Sequence, residues 1–132
     1  MATILVVDDD NCIRNVVCTM LESEGYRVLE AANGKEASVI YQTEPVDLIL
    51  TDIFMPDGDG IELIRELRCR HRDARLIAMS AGSPDTPRDF IPLVRLLGAK
   101  VLPKPFSRKQ LLGMVAESIS QPNYGPNRLP HI

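Results

Sequence analysis

Short, mostly apolar runs alternate along the chain with longer stretches in which apolar side chains recur every three or four positions. The runs are Ile4–Val7, Val28–Ala31, Val46–Leu50, Leu76–Met79 and Val101–Leu102. Consecutive apolar residues place apolar groups on both faces of a strand, which is the pattern of a parallel sheet covered by helices on each side. Between the runs, five helical faces are legible. Ile13, Val16, Val17, Met20 and Leu21 mark the first, with Gly25 as its stop. Ala37, Ile40 and Tyr41 mark the second, opened near Asn33-Gly34. Ile61, Ile64 and Leu67 mark the third; Phe90, Leu93, Val94 and Leu97, ended by Gly98, mark the fourth. Leu111, Leu112, Val115 and Ile119 mark the fifth, with Ser107 as N-cap. Strict strand–helix alternation predicts an α/β, doubly wound, five-stranded parallel sheet with right-handed crossovers.

Two segments depart from the pattern. The fourth helical stretch carries Pro84, Pro87 and Pro92. Pro87 suits a first helical turn, and Pro92 a turn further on is expected to shorten or kink the helix. Residues 121–132 contain three prolines, a glycine and two asparagines without periodicity, so they are expected to form a flexible C-terminal extension to a domain over 1–120. At 132 residues and 45% apolar, the chain has the size and the core for one domain. No apolar run reaches the roughly 18–20 residues of a membrane span, and the N-terminus lacks the basic region of a signal peptide. Cys12, Cys18 and Cys69 are odd in number and without C-x-x-C spacing, as expected of reduced thiols in the cytoplasm. Both histidines, His71 and His131, lie too far along the chain to make those cysteines a convincing zinc set.

The formal net charge of −3 hides an asymmetry. Residues 1–60 carry three basic and twelve acidic side chains, and residues 61–132 carry twelve basic and six acidic ones. Many of the acids sit where ligands bind in an open α/β sheet, beyond the carboxyl ends of the strands. The first strand runs into Asp8-Asp9-Asp10, the third into Thr51-Asp52, the fourth into Ser80-Ala81 and the fifth into Pro103-Lys104-Pro105. Any one such aspartate is ordinarily a turn former or helix cap; the convergence of the set is what points to chemistry. Two carboxylates about 4 Å apart repel by about 4 kcal/mol at an effective dielectric near 20, so a cluster calls for protonation or a cation. Mg2+ favours such oxygen donors and often pairs with phosphate. Lys104 and Ser80 add a fixed positive charge and a hydrogen-bond donor for phosphoryl oxygens.

These stretches resemble the response-regulator receiver domain, the phospho-acceptor of two-component signalling. The resemblance rests on Ile4-Leu5-Val6-Val7-Asp8-Asp9-Asp10, on the run from Asp47 through Asp52-Ile53-Phe54-Met55-Pro56 to Gly60, on Met79-Ser80-Ala81 and on Lys104-Pro105-Phe106, over about residues 3–120. It implies the flavodoxin-like (βα)5 fold with strand order 2-1-3-4-5. It implies that Asp52 takes a phosphoryl group from the phosphohistidine of a sensor histidine kinase or phosphotransfer protein. It implies Mg2+ as cofactor, held by Asp9, Asp52 and the backbone carbonyl of Phe54, with Asp8 acting through water. Lys104 then contacts the acyl phosphate, the Ser80 hydroxyl moves towards it, and Lys104-Pro105 is cis. Pro56, Gly58 and Gly60 shape the loop after the acceptor. The output surface implied is the fourth helix, fifth strand and fifth helix, with Arg95, Lys100, Arg108 and Lys109 as exposed candidates, binding a downstream protein or a second copy of the phosphorylated chain.

Val101 stands where the family usually has an aromatic residue, so an aromatic rotamer switch is not expected. Phe54 is placed to limit water access, and slow self-dephosphorylation is expected. Two rival readings fit the sequence less well. A haloacid-dehalogenase-type phosphatase is matched by Asp8 and Asp10 but lacks further acids after Lys104 other than Glu117, and leaves Asp52–Pro56 unexplained. A pseudo-receiver scaffold is opposed by the intact Asp8, Asp9, Asp52, Ser80 and Lys104 set. The run Arg65, Arg68, Arg70, Arg72 and Arg75 has no interleaved aromatics and reads as a solvated helix end, so no direct nucleic-acid or membrane contact is expected. His71, in the same polar run, reads as a solvated surface residue.

Overall fold

The computed structural model describes residues 1–55, 60–81 and 90–121. Pro56, Asp57, Gly58 and Asp59, the prolines at 84 and 87, and the extension beyond Gln121 lie outside the described residues. Five parallel strands, β1 (Thr3–Val7), β2 (Arg27–Ala31), β3 (Leu48–Asp52), β4 (Leu76–Ala81) and β5 (Ala99–Lys104), pair in the order β2-β1-β3-β4-β5. Helices α1 (Asn11–Ser23), α2 (Gly34–Thr43), α3 (Gly60–Arg70), α4 (Phe90–Leu96) and α5 (Arg108–Ser120) connect them. The doubly wound fold and its strand order are those expected.

The period of two along each strand splits the core into two layers. Leu5, Val7, Ile49, Leu76 and Ala78 pack with residues of α2, α3 and α4. Ile4, Val6, Leu48, Leu50, Ile77 and Met79 pack with residues of α1 and α5. Both faces are covered in the inner strands, which is why β1 and β3 are buried at every position. The outer strands differ from expectation. β2 leaves Arg27 and Glu30 exposed, because an edge strand lacks a neighbour on one side. β5 is the other edge, and it accommodates Pro103, whose missing N–H would break a central ladder.

Helix ends follow local chemistry. Asn33 and Ser107 cap α2 and α5, the latter through a reciprocal capping box with Gln110. Gly25 and Gly98 adopt φ of 89° and 85° just past α1 and α4, a region glycine enters without a Cβ penalty. Pro92 lies within α4, whose described residues continue helically past it to Leu96.

Burial corrects several other readings. On α1 the inward residues are Val17, Cys18 and Leu21, while Ile13 and Val16 are exposed, Val16 at 53%. The apolar positions of α1 thus form a wider arc than the sheet covers. His71 is half-buried, with its ring edge-on to Tyr41 at 4.6 Å between centroids. Arg68 is buried among backbone carbonyls rather than solvated. The three cysteines are free; Cys12 and Cys69 are exposed, and burial together with nearby Glu30 pushes the Cys18 thiol up to about 12. Because the thiolate is the nucleophile, iodoacetamide at pH 8 should label Cys12 and Cys69 and spare Cys18 in the native protein. Equal labelling of all three, read by peptide mass spectrometry, would show that the α1 packing is wrong.

Candidate functional site

Register brings four strand ends together. Val7 pairs with Ala31 and Thr51, Asp52 with Met79, and Ser80 with Pro103. Asp8 follows β1 directly and is almost fully buried at 1% exposure. One of its oxygens accepts the Asp10 amide at 2.9 Å, and its backbone carbonyl accepts the Arg14 guanidinium. Asp10 itself turns outward and caps α1, accepting from Cys12 and Ile13. Of the three consecutive aspartates, then, two face the pocket and one does the ordinary work of a helix cap.

Asp8, Asp9 and Asp52 each offer a carboxylate oxygen, all within 4.8 Å of one another. Asp9 is exposed and Asp52 is 8% exposed, so the cluster has one open side. Lys104 Nζ lies 3.4 Å from Asp52 and 3.5 Å from Asp8. The Lys104–Pro105 peptide is cis. Ser80 is buried at the same end of the sheet. The Phe54 amide donates to an Asp52 oxygen at 3.4 Å, so the residue whose carbonyl is expected in a metal site starts beside Asp52. Arg14, to which the sequence assigned no role, and Gly60, legible there only as a loop glycine, both position the site. Arg14 holds the β1–α1 turn through the Asp8 carbonyl. Gly60 donates to the Ile53 carbonyl at 2.8 Å, and a Cβ there would fall 1.8 Å from the Asp52 carbonyl oxygen. The G-D-G spacing signalled a turn but not this approach.

Burial, opposed by Lys104 and reinforced by Asp8, raises the pKa of Asp52 above the ordinary carboxylate value. With its folded pKa above its unfolded one, the native state holds the extra proton between the two values. Stability therefore falls as pH rises through that window, and the penalty persists above it. In EDTA at pH 7, Asp52→Asn should melt higher than the native protein, with the gap closing towards pH 4. A lower Tm for the variant at pH 7 would contradict this electrostatic account. The oxygen-only donor set, its negative charge and its open side fit a hard divalent cation such as Mg2+.

A parallel α/β sheet with carboxylates and a lysine gathered at its carboxyl edge defines a doubly wound protein built to handle a charged ligand there. The comparisons place it further. The sequence model of the response regulator receiver domain matches residues 4–116. The response regulator receiver protein CpdR of Brucella abortus is 37% identical over 126 residues, covering 90% of this chain and 98% of that protein. The sensor kinase CckA of the same organism is 39% identical over 122 residues, but the chain spans only 13% of its length. Among solved structures, Vibrio cholerae CheY4 matches with a TM-score of 0.81 at 30% identity, covering 89% of this chain and 98% of that one. The response regulator TrrA of Thermotoga maritima, solved in complex with Mg2+ and BeF, matches with a TM-score of 0.78 at 31% identity, covering 89% and 99%. The chain belongs to the response regulator receiver domain family, and its role is that of a phospho-acceptor in two-component signalling. Among the described residues, no helix is long and apolar enough to cross a membrane.

Proposed function

We propose that Asp52 is the phospho-acceptor, that Asp8, Asp9 and the Phe54 carbonyl complete its Mg2+ site, and that Lys104 and Ser80 receive the phosphoryl oxygens. The observation that carries this is the cluster itself: three carboxylates within 4.8 Å, with Lys104 Nζ 3.4 Å from Asp52. A carboxylate oxygen of Asp52 attacks phosphorus and forms the new P–O bond. The P–N bond of the donor phosphohistidine breaks, and its electron pair stays on the imidazole nitrogen, which takes up a proton. A carboxylate is already nucleophilic at neutral pH, so no general base is needed. Mg2+ held by these residues would neutralise charge on the phosphoryl oxygens. Lys104, held between Asp8 and Asp52, provides a fixed ammonium that loses none of its order when the acyl phosphate forms. The Ser80 hydroxyl donates to a phosphoryl oxygen, and the new contacts shift the population of conformers.

The donor is a sensor histidine kinase or phosphotransfer protein, a reading supported by the likeness to the receiver part of the sensor kinase CckA. The output partner docks on α4–β5–α5 in the cytoplasm, with phosphorylation-dependent pairing of two copies as a further outcome. Residues 1–120 form the receiver and 121–132 its extension. On the docking face Arg95 and Lys109 are exposed, whereas Lys100 pairs with Glu117 at 3.3 Å and Arg108 with Glu24 at 2.9 Å. Among the described residues, Arg95 and Lys109 are the two of these four cations without an ion pair.

The test is incubation with acetyl phosphate and Mg2+ followed by intact mass. One phosphoryl adduct is expected, lost in Asp52→Asn and blocked by EDTA; no adduct on the native protein would leave a phosphorylation-independent scaffold. Mg2+ at ten times its Kd should also stabilise the fold by about 1.4 kcal/mol. Asp9→Asn should lose most of that gain in a thermal melt. Phe54→Asn should shorten the life of the phosphorylated form.

A further inference from the structure

The opposite end of the sheet holds polar groups that phosphoryl chemistry leaves unused. Among the described residues, three side-chain atoms are buried without a hydrogen-bond partner: Arg75 Nε, Lys100 Nζ and Ser118 Oγ. Their residues line one cavity of about 70 Å3 between the start of β4, the start of β5 and the end of α5. That volume suits a small ion or a few waters. Unmatched buried donors ordinarily mark a missing partner.

The charges there are partly answered already. Arg75 donates from Nη2 to the Gln121 carbonyl at 2.9 Å, meeting the negative end of α5. Lys100 faces Glu117 at 3.3 Å, and Glu117 also accepts from Gln121. These pairings set two cations against one carboxylate and leave Arg75 Nε and the Ser118 hydroxyl over. Ser118 is 7% exposed, so its hydroxyl has little access to bulk water. On the other side of Arg75 a larger cavity of about 400 Å3 adds Arg70 and Arg72. Its two acids are Asp47, committed to the Thr3 amide at 2.7 Å, and Asp73. Arg72, and Arg70 although it lies 3.8 Å from Glu66, thus add positive charge on one side of the unfilled donors.

We propose that Arg75, Lys100 and Ser118 form a site for a phosphate-type oxyanion at the amino-terminal edge of the sheet, separate from Asp52. Two cationic donors and a hydroxyl match an oxyanion's acceptors, and the neighbouring arginines favour its approach.

The test is a 15N NMR titration of the full chain with inorganic phosphate in EDTA, with sodium chloride at matched ionic strength as the comparison. Saturable shifts at Arg75, Lys100 and Ser118, with Asp8 and Asp52 unmoved, are expected. Ser118→Ala and Lys100→Met should each bind phosphate about tenfold more weakly, the loss of one hydrogen bond to a charged group. Ser118→Ala removes only a buried hydroxyl, so it guards against a variant that merely fails to fold, and acetyl phosphate labelling of Asp52 should be unchanged in it. Equal shifts with chloride would overturn the proposal, as would an absence of saturable shifts, which would mean that water alone fills the cavity.

Discussion

Arg68→Met should cost on the order of 3–5 kcal/mol and lower the Tm by roughly 10–20 °C. Arg68 is 7% exposed and spends its guanidinium on backbone carbonyls. Nε donates to Leu97 at 2.7 Å, Nη2 to Ala74 at 2.8 Å, and Nη1 to Arg72 and, at 3.5 Å, His71. The carbonyls past a helix end have no helical donor of their own. Here one side chain closes the end of α3, holds the turn into β4 and ties both to the carbonyl that ends α4. Burial pushes its pKa down from the ordinary arginine value, yet guanidinium remains charged throughout the working range. Methionine preserves the aliphatic stem and strands the carbonyls, so the loss reads the clamp rather than the packing. Arg68→Lys should fall between, since one ammonium cannot reproduce the planar fork. Chemical denaturation resolves the series; a change in Arg68→Met below 1 kcal/mol would mean water replaces the guanidinium freely. Because α4 belongs to the proposed output face, the same variant should weaken partner binding more than it slows phosphorylation.

Gly60→Ala should have a comparable effect by a different route. Its Cβ would lie 1.8 Å from the Asp52 carbonyl oxygen, 2.8 Å from the carbonyl carbon and 3.0 Å from Ile53 Cα. All three are backbone atoms, so no rotamer change relieves the overlap, and the end of β3 must move away from the start of α3. A loss of about 3 kcal/mol is expected, together with a large fall in Asp52 labelling by acetyl phosphate, because Asp52 sits on the displaced backbone. Gly113→Ala is the matched comparison. It is exposed in α5 with nothing within 4 Å of the added carbon, and should gain roughly 0.5–1 kcal/mol from lower helix entropy cost. If both alanines behaved alike in thermal melts, the close approach at Gly60 would not be real.

The two positions show why parts of the molecule could be read in the sequence and parts could not. Apolar periodicity is a property of the chain itself, so five strand–helix units and their parallel sheet followed from residues such as Ile4–Val7 and Leu76–Met79. The strand ends then assembled Asp8, Asp9, Asp52, Ser80 and Lys104, because chain alternation fixes where each strand leaves the sheet. Gly60 was legible as a turn glycine, but its closeness to the Asp52 carbonyl depends on two backbone segments meeting. Arg68 falls on the helical stripe of Ile61 and Ile64, a hint that its positive charge obscured.

What the sequence determined by itself was therefore the fold class, the family and which residue types end the strands at the carboxyl edge of the sheet. All three are encoded in the order and spacing of residue types along one chain. Only the tertiary structure decided which aspartate caps α1, which arginine is buried, how much of α1 stays exposed, and that Arg75, Lys100 and Ser118 share a cavity. Those depend on distances between elements remote in sequence, and on how much of each charge other groups already satisfy. A charged residue reads as solvated until packing supplies carbonyls for it, as it does for Arg68.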